Sequence, residues 1–288
     1  MIDPGLNGKN VLITGANNPH GIGAATAKAF ARLGCSVFLH YFREPAPPTE
    51  PDDAPGESFY QEVKSRTAQG VVDEIKLAGG KAYSWEVDLT RQGSARELFD
   101  QAENCLGPIH VLINNAAHCS YDTFIPQGGP VYGSGSTEHA ELLNSESHDM
   151  HFAVNSRATA LLVVEFARRH VARDATWGRI INISTDASSA CAGAVSYGAS
   201  KHALESYSRA AAWELARYGI TVNIIAPGPT QTGWMAPKLE AQVVPRIPLG
   251  RIGSPNDIAD VVVFLASEQA RWVTGQTLYV GGGNVMPL

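Results

Sequence analysis

The sequence predicts an α/β fold with a doubly wound, mainly parallel sheet and helices on both faces. Three observations predict it. Short apolar runs alternate with helical stretches along the 288 residues, which is the pattern of an α/β chain. A glycine-rich loop joins the first apolar run to the first helical one. The first strand, first helix and second strand then close a βαβ unit, from which a parallel sheet follows.

Taken in order, Lys9 to Thr14 is the first strand, Gly15-Ala-Asn-Asn-Pro-His-Gly21-Ile-Gly23 the loop, and Ala24 to Leu33 a helix that Gly34 closes. Val37 to Tyr41 is the second strand. Glycines let a backbone approach a pyrophosphate closely, and a helix N-terminus offers it unpaired N–H groups and a positive dipole end. The alternative is a glycine turn with no ligand. Glu44 to Glu57 is proline-rich and acidic and reads as a surface loop beside the adenosine end of such a site. Phe59 to Leu77 is helical, stopped by Gly79-Gly80. Tyr83 to Leu89 is the third strand, Ser94 to Leu106 a helix, and Ile109 to Ile113 the fourth strand, running into Asn114-Asn115-Ala116-Ala117.

Tyr121 to His139 is rich in Gly, Pro and Ser and reads as a lid, or as an inserted hairpin. Met150 to Arg168 is an apolar helix with Asn155 as its polar exception. Arg179 to Ile183 is a buried strand, Ser196 to Tyr218 a helix and Ile220 to Ala226 a strand. Trp234 to Arg251 is irregularly helical and placed to cover a substrate. Ser254 caps a helix that has Pro255 at its first position and runs through Leu265. Gln276 to Val280 is the last strand. One domain over residues 1–288 is expected, with inserted loops near 44–58 and 120–145.

The net charge of −6, with no run of lysine and arginine, argues against a nucleic-acid partner. The four cysteines have no Cys-x-x-Cys spacing, and His118, His148 and His151 form no metal triad by spacing, so no metal is expected. No apolar run is long enough to span a bilayer, and the N-terminal segment lacks a basic, then apolar, leader pattern; a soluble, cytoplasmic protein is expected.

The chemistry concentrates between Ser184 and Lys201. Tyr197 and Lys201 stand one helical turn apart on one face. A free phenol titrates near 10, and an adjacent ammonium favours its anion, so the pair is suited to acid/base work. Ser184 follows the buried strand, at the carboxyl end where ligands of open α/β sheets bind.

Ser184 followed by Tyr197-Gly-Ala-Ser-Lys201 resembles the active-site signature of the short-chain dehydrogenase/reductase family, nearest to its 3-oxoacyl-acyl-carrier-protein reductases, a likeness that Leu249 to Pro255 strengthens. The resemblance covers essentially the whole chain and implies a Rossmann-like fold with seven strands. It implies hydride transfer between a nicotinamide cofactor and a ketone or secondary alcohol. Tyr197 would be the general acid for reduction, its pKa lowered by Lys201 and by the nicotinamide's positive charge in the oxidised complex; Ser184 would orient the carbonyl; Lys201 would also hold the nicotinamide ribose; Asn155 would complete a proton relay through water.

The resemblance further places Gly15, Asn17, His20, Gly21, Ile22 and Gly23 on the cofactor phosphates, although the loop is two residues longer than the family's Thr-Gly-x-x-x-Gly-x-Gly. Asp88 and Leu89 would meet adenine, Asn115, Ala116 and Ala117 the ribose, and Pro227, Gly228, Thr230 and Thr232 the nicotinamide side. Ala117 stands where the family usually has glycine. At the end of the second strand, Tyr41 occupies the position where an acidic residue would select NAD, and Arg43 with His40 suits a 2′-phosphate. NADP is therefore expected over NAD, with Glu44 as the opposing feature. The substrate would be a small carbonyl compound or alcohol: an oxoacyl thioester, a sugar, a steroid or a xenobiotic. A regulator that binds the dinucleotide without turnover is the alternative from another class. Family members assemble through the helices bearing Asn155 and Tyr197, so a homo-oligomer, tetramer or dimer, is expected; apolar Ala158 to Phe166 and Ala210 to Trp213 permit it.

Overall fold

The computed structural model describes residues 3–45, 54–130 and 139–286. Parts of both expected insertions, residues 46–53 and 131–138, lie outside the described residues. The chain runs β1 (Asn10–Ile13), α1 (Ile22–Arg32), β2 (Ser36–Tyr41), α2 (Glu57–Ser65), α3 (Gln69–Leu77), β3 (Lys81–Glu86), α4 (Ser94–Leu106) and β4 (Val111–Asn114). The short strands β5 (Asp122–Thr123), β6 (Gly129–Pro130) and β7 (His139–Leu142) follow, then α5 (Ser145–His151), a π-helical stretch Phe152–Ala158 and α6 (Thr159–Ala172). The remainder is β8 (Gly178–Ile183), α7 (Val195–Leu215), β9 (Ile220–Pro227), α8 (Pro237–Val243), α9 (Pro255–Ala266) and β10 (Thr277–Val280).

Seven strands form one parallel sheet in the order β3-β2-β1-β4-β8-β9-β10. This is the doubly wound, Rossmann-like arrangement. Chain direction across the sheet reverses between β1 and β4, so the crevice outside their carboxyl ends is the natural ligand site. Strand alternation sorts the core into two layers. Val11, Ile13, Val37, Leu39, Ile113 and Ile183 face Ala27 and Phe30 of α1 and Val262 and Leu265 of α9. Leu12, Phe38, Leu112, Ile180 and Val222 face Leu98 and Phe99 of α4 and Leu162 and Phe166 of α6. Each such buried side chain contributes roughly 1.5–3 kcal/mol, which fixes strand register: a slip of one residue exchanges the two sets.

Several elements differ from expectation. The helix expected over Phe59 to Leu77 is two helices, α2 and α3, because Arg66 leaves helical geometry (φ −82°, ψ 159°). The helix expected over Met150 to Arg168 starts earlier, at Ser145, with the Asn144 side chain accepting from Ser147 N, and widens to π geometry around Asn155. Tyr121 to His139 contributes strands to a separate sheet of order β5-β7-β6. Helix α9 begins as expected, with Ser254 and Asp257 forming a reciprocal capping box. Among the described residues no helix is long and apolar enough to cross a membrane.

Candidate active site

Three consecutive residues at the end of β8 dock helix α7 by polar contacts. Asn182 Nδ2 donates to Ser208 Oγ at 2.7 Å, Lys201 Nζ donates to the Ile183 carbonyl at 2.8 Å, and Ser184 Oγ donates to Glu205 Oε1 at 2.7 Å. Even-numbered side chains of β8 face α7, as Ile180 and Asn182 do, and Ser184 continues that alternation into the interior. Of the two hydroxyls it is that of Thr185 that acts on the Tyr197 phenol. Ser184, expected to orient the carbonyl, has its oxygen buried against Glu205, and its neighbour turns toward the phenol. A Ser-Thr pair at a strand end was the available signal, since adjacent residues point to opposite sides.

Burial pushes the Tyr197 phenol well above its ordinary value, with Cys119, Cys191 and Tyr60 adding to the rise and Thr185 opposing it. Lys201 is not among the largest influences on it. Lys201 is itself buried, its Nζ is 5.9 Å from the Tyr197 ring centroid, and burial lowers its pKa to about 8. A low-dielectric pocket penalises both charged forms, so near neutral pH the phenol is a proton donor beside a lysine poised to lose its charge.

Asn155 lies in the π-helical stretch, fully buried. Its Nδ2 donates to the His118 carbonyl and to Ser200 Oγ, both at 2.9 Å, and its Oδ1 accepts from His118 N at 2.8 Å. It ties the segment after β4 to the helix bearing Tyr197. π-turns of this kind concentrate at functional sites. Asp122, from the inserted segment, accepts from Ser196 N at 2.9 Å and from Ser147 Oγ at 2.7 Å. It supplies the start of α7 with the cap that Ala194 lacks.

The dinucleotide cradle is close-packed. Gly15 has φ +68°, and a Cβ there would lie 2.7 Å from Ala116 Cα; a Cβ at Gly23 would lie 2.5 Å from the Gly15 carbonyl oxygen. Asn115 Nδ2 donates to the Thr14 and Gly15 carbonyls at 3.0 and 2.8 Å, and Thr14 Oγ1 accepts from Asn115 N and Ala116 N. Ala117, next in line, is exposed. Helix α1 starts at Ile22 with Gly21 as N-cap and no capping side chain, leaving first-turn N–H groups for an anion. These features fit a dinucleotide pyrophosphate.

Other expected cofactor residues are engaged elsewhere. His40 is buried, its Nε2 2.8 Å from the Val87 carbonyl and its Nδ1 accepting from Gly15 N at 3.4 Å. Burial lowers its pKa to about 4, so it is a neutral brace under the glycine loop and not a cation for a phosphate. Asn17 Nδ2 donates to the Lys64 and Arg66 carbonyls, and the His20 ring packs on Phe59. Tyr41 is buried at the end of β2. Arg43 pairs with Glu86 (Nη2 to Oε2 2.9 Å), and Glu44 pairs with Lys64. Asp88 Oδ1 accepts from Thr90 N and Oγ1, holding the turn after β3, with Leu89 buried beside it.

On the opposite lip Gly228 approaches Gly281, where a Cβ would lie 2.6 Å from Gly281 Cα, and the Pro227 carbonyl accepts from Asp186 N. Thr230 Oγ1 donates to the Gly228 carbonyl and the Thr232 carbonyl accepts from Asn18 Nδ2.

A parallel sheet with a glycine cradle at its switch point, and a tyrosine, a hydroxyl and a buried lysine beside it, define a nicotinamide-dependent oxidoreductase. Residues 56–284 match the family model described as enoyl-(acyl carrier protein) reductase. The chain is 34% identical over 276 residues to an uncharacterized oxidoreductase of Bacillus subtilis (strain 168), YjdA, with 96% of each chain covered. It is 30% identical over 283 residues to the 3-oxoacyl-acyl-carrier-protein reductase of Aquifex aeolicus (strain VF5), covering 96% of this chain and 98% of that one. The solved angucycline C-6 ketoreductase LanV with bound NADP superposes with a TM-score of 0.76 at 29% identity, covering 97% and 96% of the two chains. The protein belongs to the short-chain dehydrogenase/reductase family and is an oxidoreductase that moves a hydride between a nicotinamide cofactor and a CH–OH or C=O group.

Proposed function

We propose that the chain reduces ketones with NADPH, using Tyr197 as proton donor. The observation that carries this is the Tyr197 phenol, held protonated by burial, one turn from buried Lys201, whose Nζ lies 5.9 Å from its ring centroid. When bound, the nicotinamide supplies the hydride that adds to the carbonyl carbon. Tyr197 gives its proton to the carbonyl oxygen, and the Thr185 hydroxyl orients that oxygen as charge develops. Lys201 stabilises the tyrosinate left behind and returns a proton to it. Asn155 keeps the π-turn open beside this relay by holding His118 and Ser200. Gly15, Gly21, Ile22 and Gly23 hold the pyrophosphate, Asn115 and Ala116 shape the ribose pocket, and Pro227, Gly228, Thr230 and Thr232 line the nicotinamide side.

Support for NADP comes from Arg43, which with Glu44, Pro45, Ser65 and Glu86 lines an open depression at the end of β2. A 2′-phosphate there takes the place of Glu86 as the partner of Arg43. LanV, a ketoreductase solved with NADP, is consistent with this choice. Candidate substrates are cyclic ketones and 3-oxoacyl thioesters. A homo-oligomer is supported by exposed Leu161 and Val164 on α6 and exposed Tyr207 and Trp213 on α7.

Titration with NADPH and NADH, followed by nicotinamide fluorescence, and then addition of short 3-oxoacyl thioesters and cyclic ketones, tests the proposal. Tighter NADPH binding and substrate-dependent loss of fluorescence are expected. Preferential NADH binding rejects the Arg43 assignment, and binding without oxidation across the panel favours a dinucleotide-binding regulator.

A further inference from the structure

Helix α2 is fastened to both lips of the cofactor crevice. At its start Gly56 N donates to the Gly233 carbonyl at 2.8 Å, in the segment after β9, and a Cβ on Gly56 would lie 3.9 Å from that of Ala236. At its end Asn17 Nδ2, in the glycine loop, donates to the Lys64 and Arg66 carbonyls at 2.9 and 3.0 Å. Between these points Phe59 touches both lips. Its ring packs on His20 with centroids 5.4 Å apart, and a Cβ on Gly233 (φ +96°) would come within 2.9 Å of it. Asn18 Nδ2 donates to the Thr232 carbonyl at 2.9 Å, so the lips also meet directly.

Among the described residues the two core layers of the sheet take no side chain from α2, and Val63 is the only residue of the helix that is buried. A helix held by its two ends and one ring can lift without disturbing the sheet, since segments with few buried apolar contacts open at low cost. The lips it joins are those that flank the pyrophosphate: Gly21 to Gly23 at the start of α1 on one side, Thr230 and Thr232 after β9 on the other. A dinucleotide laid across the switch point has adenosine toward the end of β2 and nicotinamide toward the ends of β8 and β9. Contacts that run from lip to lip therefore cross its path.

We propose that α2 is a clasp over the dinucleotide, with Phe59 as its catch: the contacts between the lips part for the cofactor to enter and part again for it to leave. This rests on the cofactor placement proposed above. The catch joins protein to protein, so loosening it eases passage in both directions. A side chain that touched the cofactor itself would slow its departure alone.

The test is stopped-flow nicotinamide fluorescence with NADPH on wild type, Phe59→Ala and Gly233→Ala, entry being followed on mixing and exit on displacement by excess NADP+. In Phe59→Ala the association and dissociation rate constants are both expected to rise about tenfold, the change that roughly 1.4 kcal/mol of lost contact gives, with Kd within about threefold of wild type. Gly233→Ala, whose added Cβ displaces the Phe59 ring from the other lip, is expected to speed both rates as well, so the outcome does not hang on the folding of one variant. Wild-type dissociation in both variants overturns the clasp. Faster dissociation with unchanged association assigns the ring to the cofactor itself and also overturns it. A wild-type protein that binds neither NADPH nor NADH removes the cofactor placement, and the clasp with it.

Discussion

Ser184 donates its hydroxyl to Glu205 across the β8–α7 interface at 2.7 Å, both side chains being buried. This bond turns the serine away from Tyr197 and leaves Thr185 beside the phenol. Ser184→Ala is expected to cost about 1–3 kcal/mol of stability, because it strips a buried carboxylate of a donor, with kcat changed less than about threefold. Thr185→Val is expected to lower kcat/KM by roughly 10²-fold, the size of effect seen when one transition-state donor is lost. Denaturant unfolding and steady-state kinetics of the two variants separate these effects. The opposite pattern returns the role to Ser184.

Tyr197→Phe is expected to reduce turnover by about 10³-fold or more while leaving NADPH affinity within about threefold, since only the proton donor is removed. Fluorescence titration and ketone-dependent NADPH oxidation measure both. Wild-type turnover in this variant excludes the mechanism.

Lys201, with a pKa lowered to about 8, carries a charge that the relay needs. Reduction is expected to fall tenfold per pH unit above about 8, through loss of that ammonium. Stability moves the other way. Between about 8 and the ordinary lysine value of 10.5 the unfolded chain binds the extra proton, so stability rises with pH across that window. A pH–rate profile with parallel melts distinguishes a catalytic titration from unfolding.

His40 is held neutral, its pKa lowered from 6.5 to about 4 by burial. The unfolded state takes up a proton first as pH falls, so stability is present above about 6.5 and is lost between there and 4, by at most about 3 kcal/mol. His40→Leu is expected to remove that acid dependence. It is also expected to cost about 1–3 kcal/mol at neutral pH by orphaning the Val87 carbonyl and the Gly15 N–H. Melting temperatures over pH 4–7 test it.

Asp122 holds the first turn of α7. Burial pushes its carboxyl up, but hydrogen bonds from Ser196 and Ser147 outweigh this and hold it below the ordinary carboxylate value. Its contribution is therefore present above the unfolded carboxylate pKa and is lost as pH falls through the lower folded value. Asp122→Ala is expected to destabilise by about 1–2 kcal/mol, as loss of a helix cap does, and to lower kcat with KM little altered, because Tyr197 follows Ser196. Equal loss of stability with unchanged kcat limits Asp122 to a structural part.

The sequence by itself determined the fold class, because alternation and helical period are local and each apolar run carries its own signal. The glycine loop, the Tyr197–Lys201 spacing and the cap at Ser254 were legible for the same reason: each is a relation within one or two turns of chain. Only the tertiary structure decided which neighbouring hydroxyl faces the phenol, that His40 is a neutral brace, and that Arg43 pairs with Glu86 on the adjacent strand. It also placed Asn17 under the end of α2 and brought Asp122 to the start of α7, 74 residues away in sequence. The break between α2 and α3 belongs with these, since hydrophobic periodicity runs across it and the bonds from Asn17 that hold it come from another element. A sequence states which groups are available, whereas burial sets which remain charged and side-chain direction sets which meet; both are properties of the packed chain.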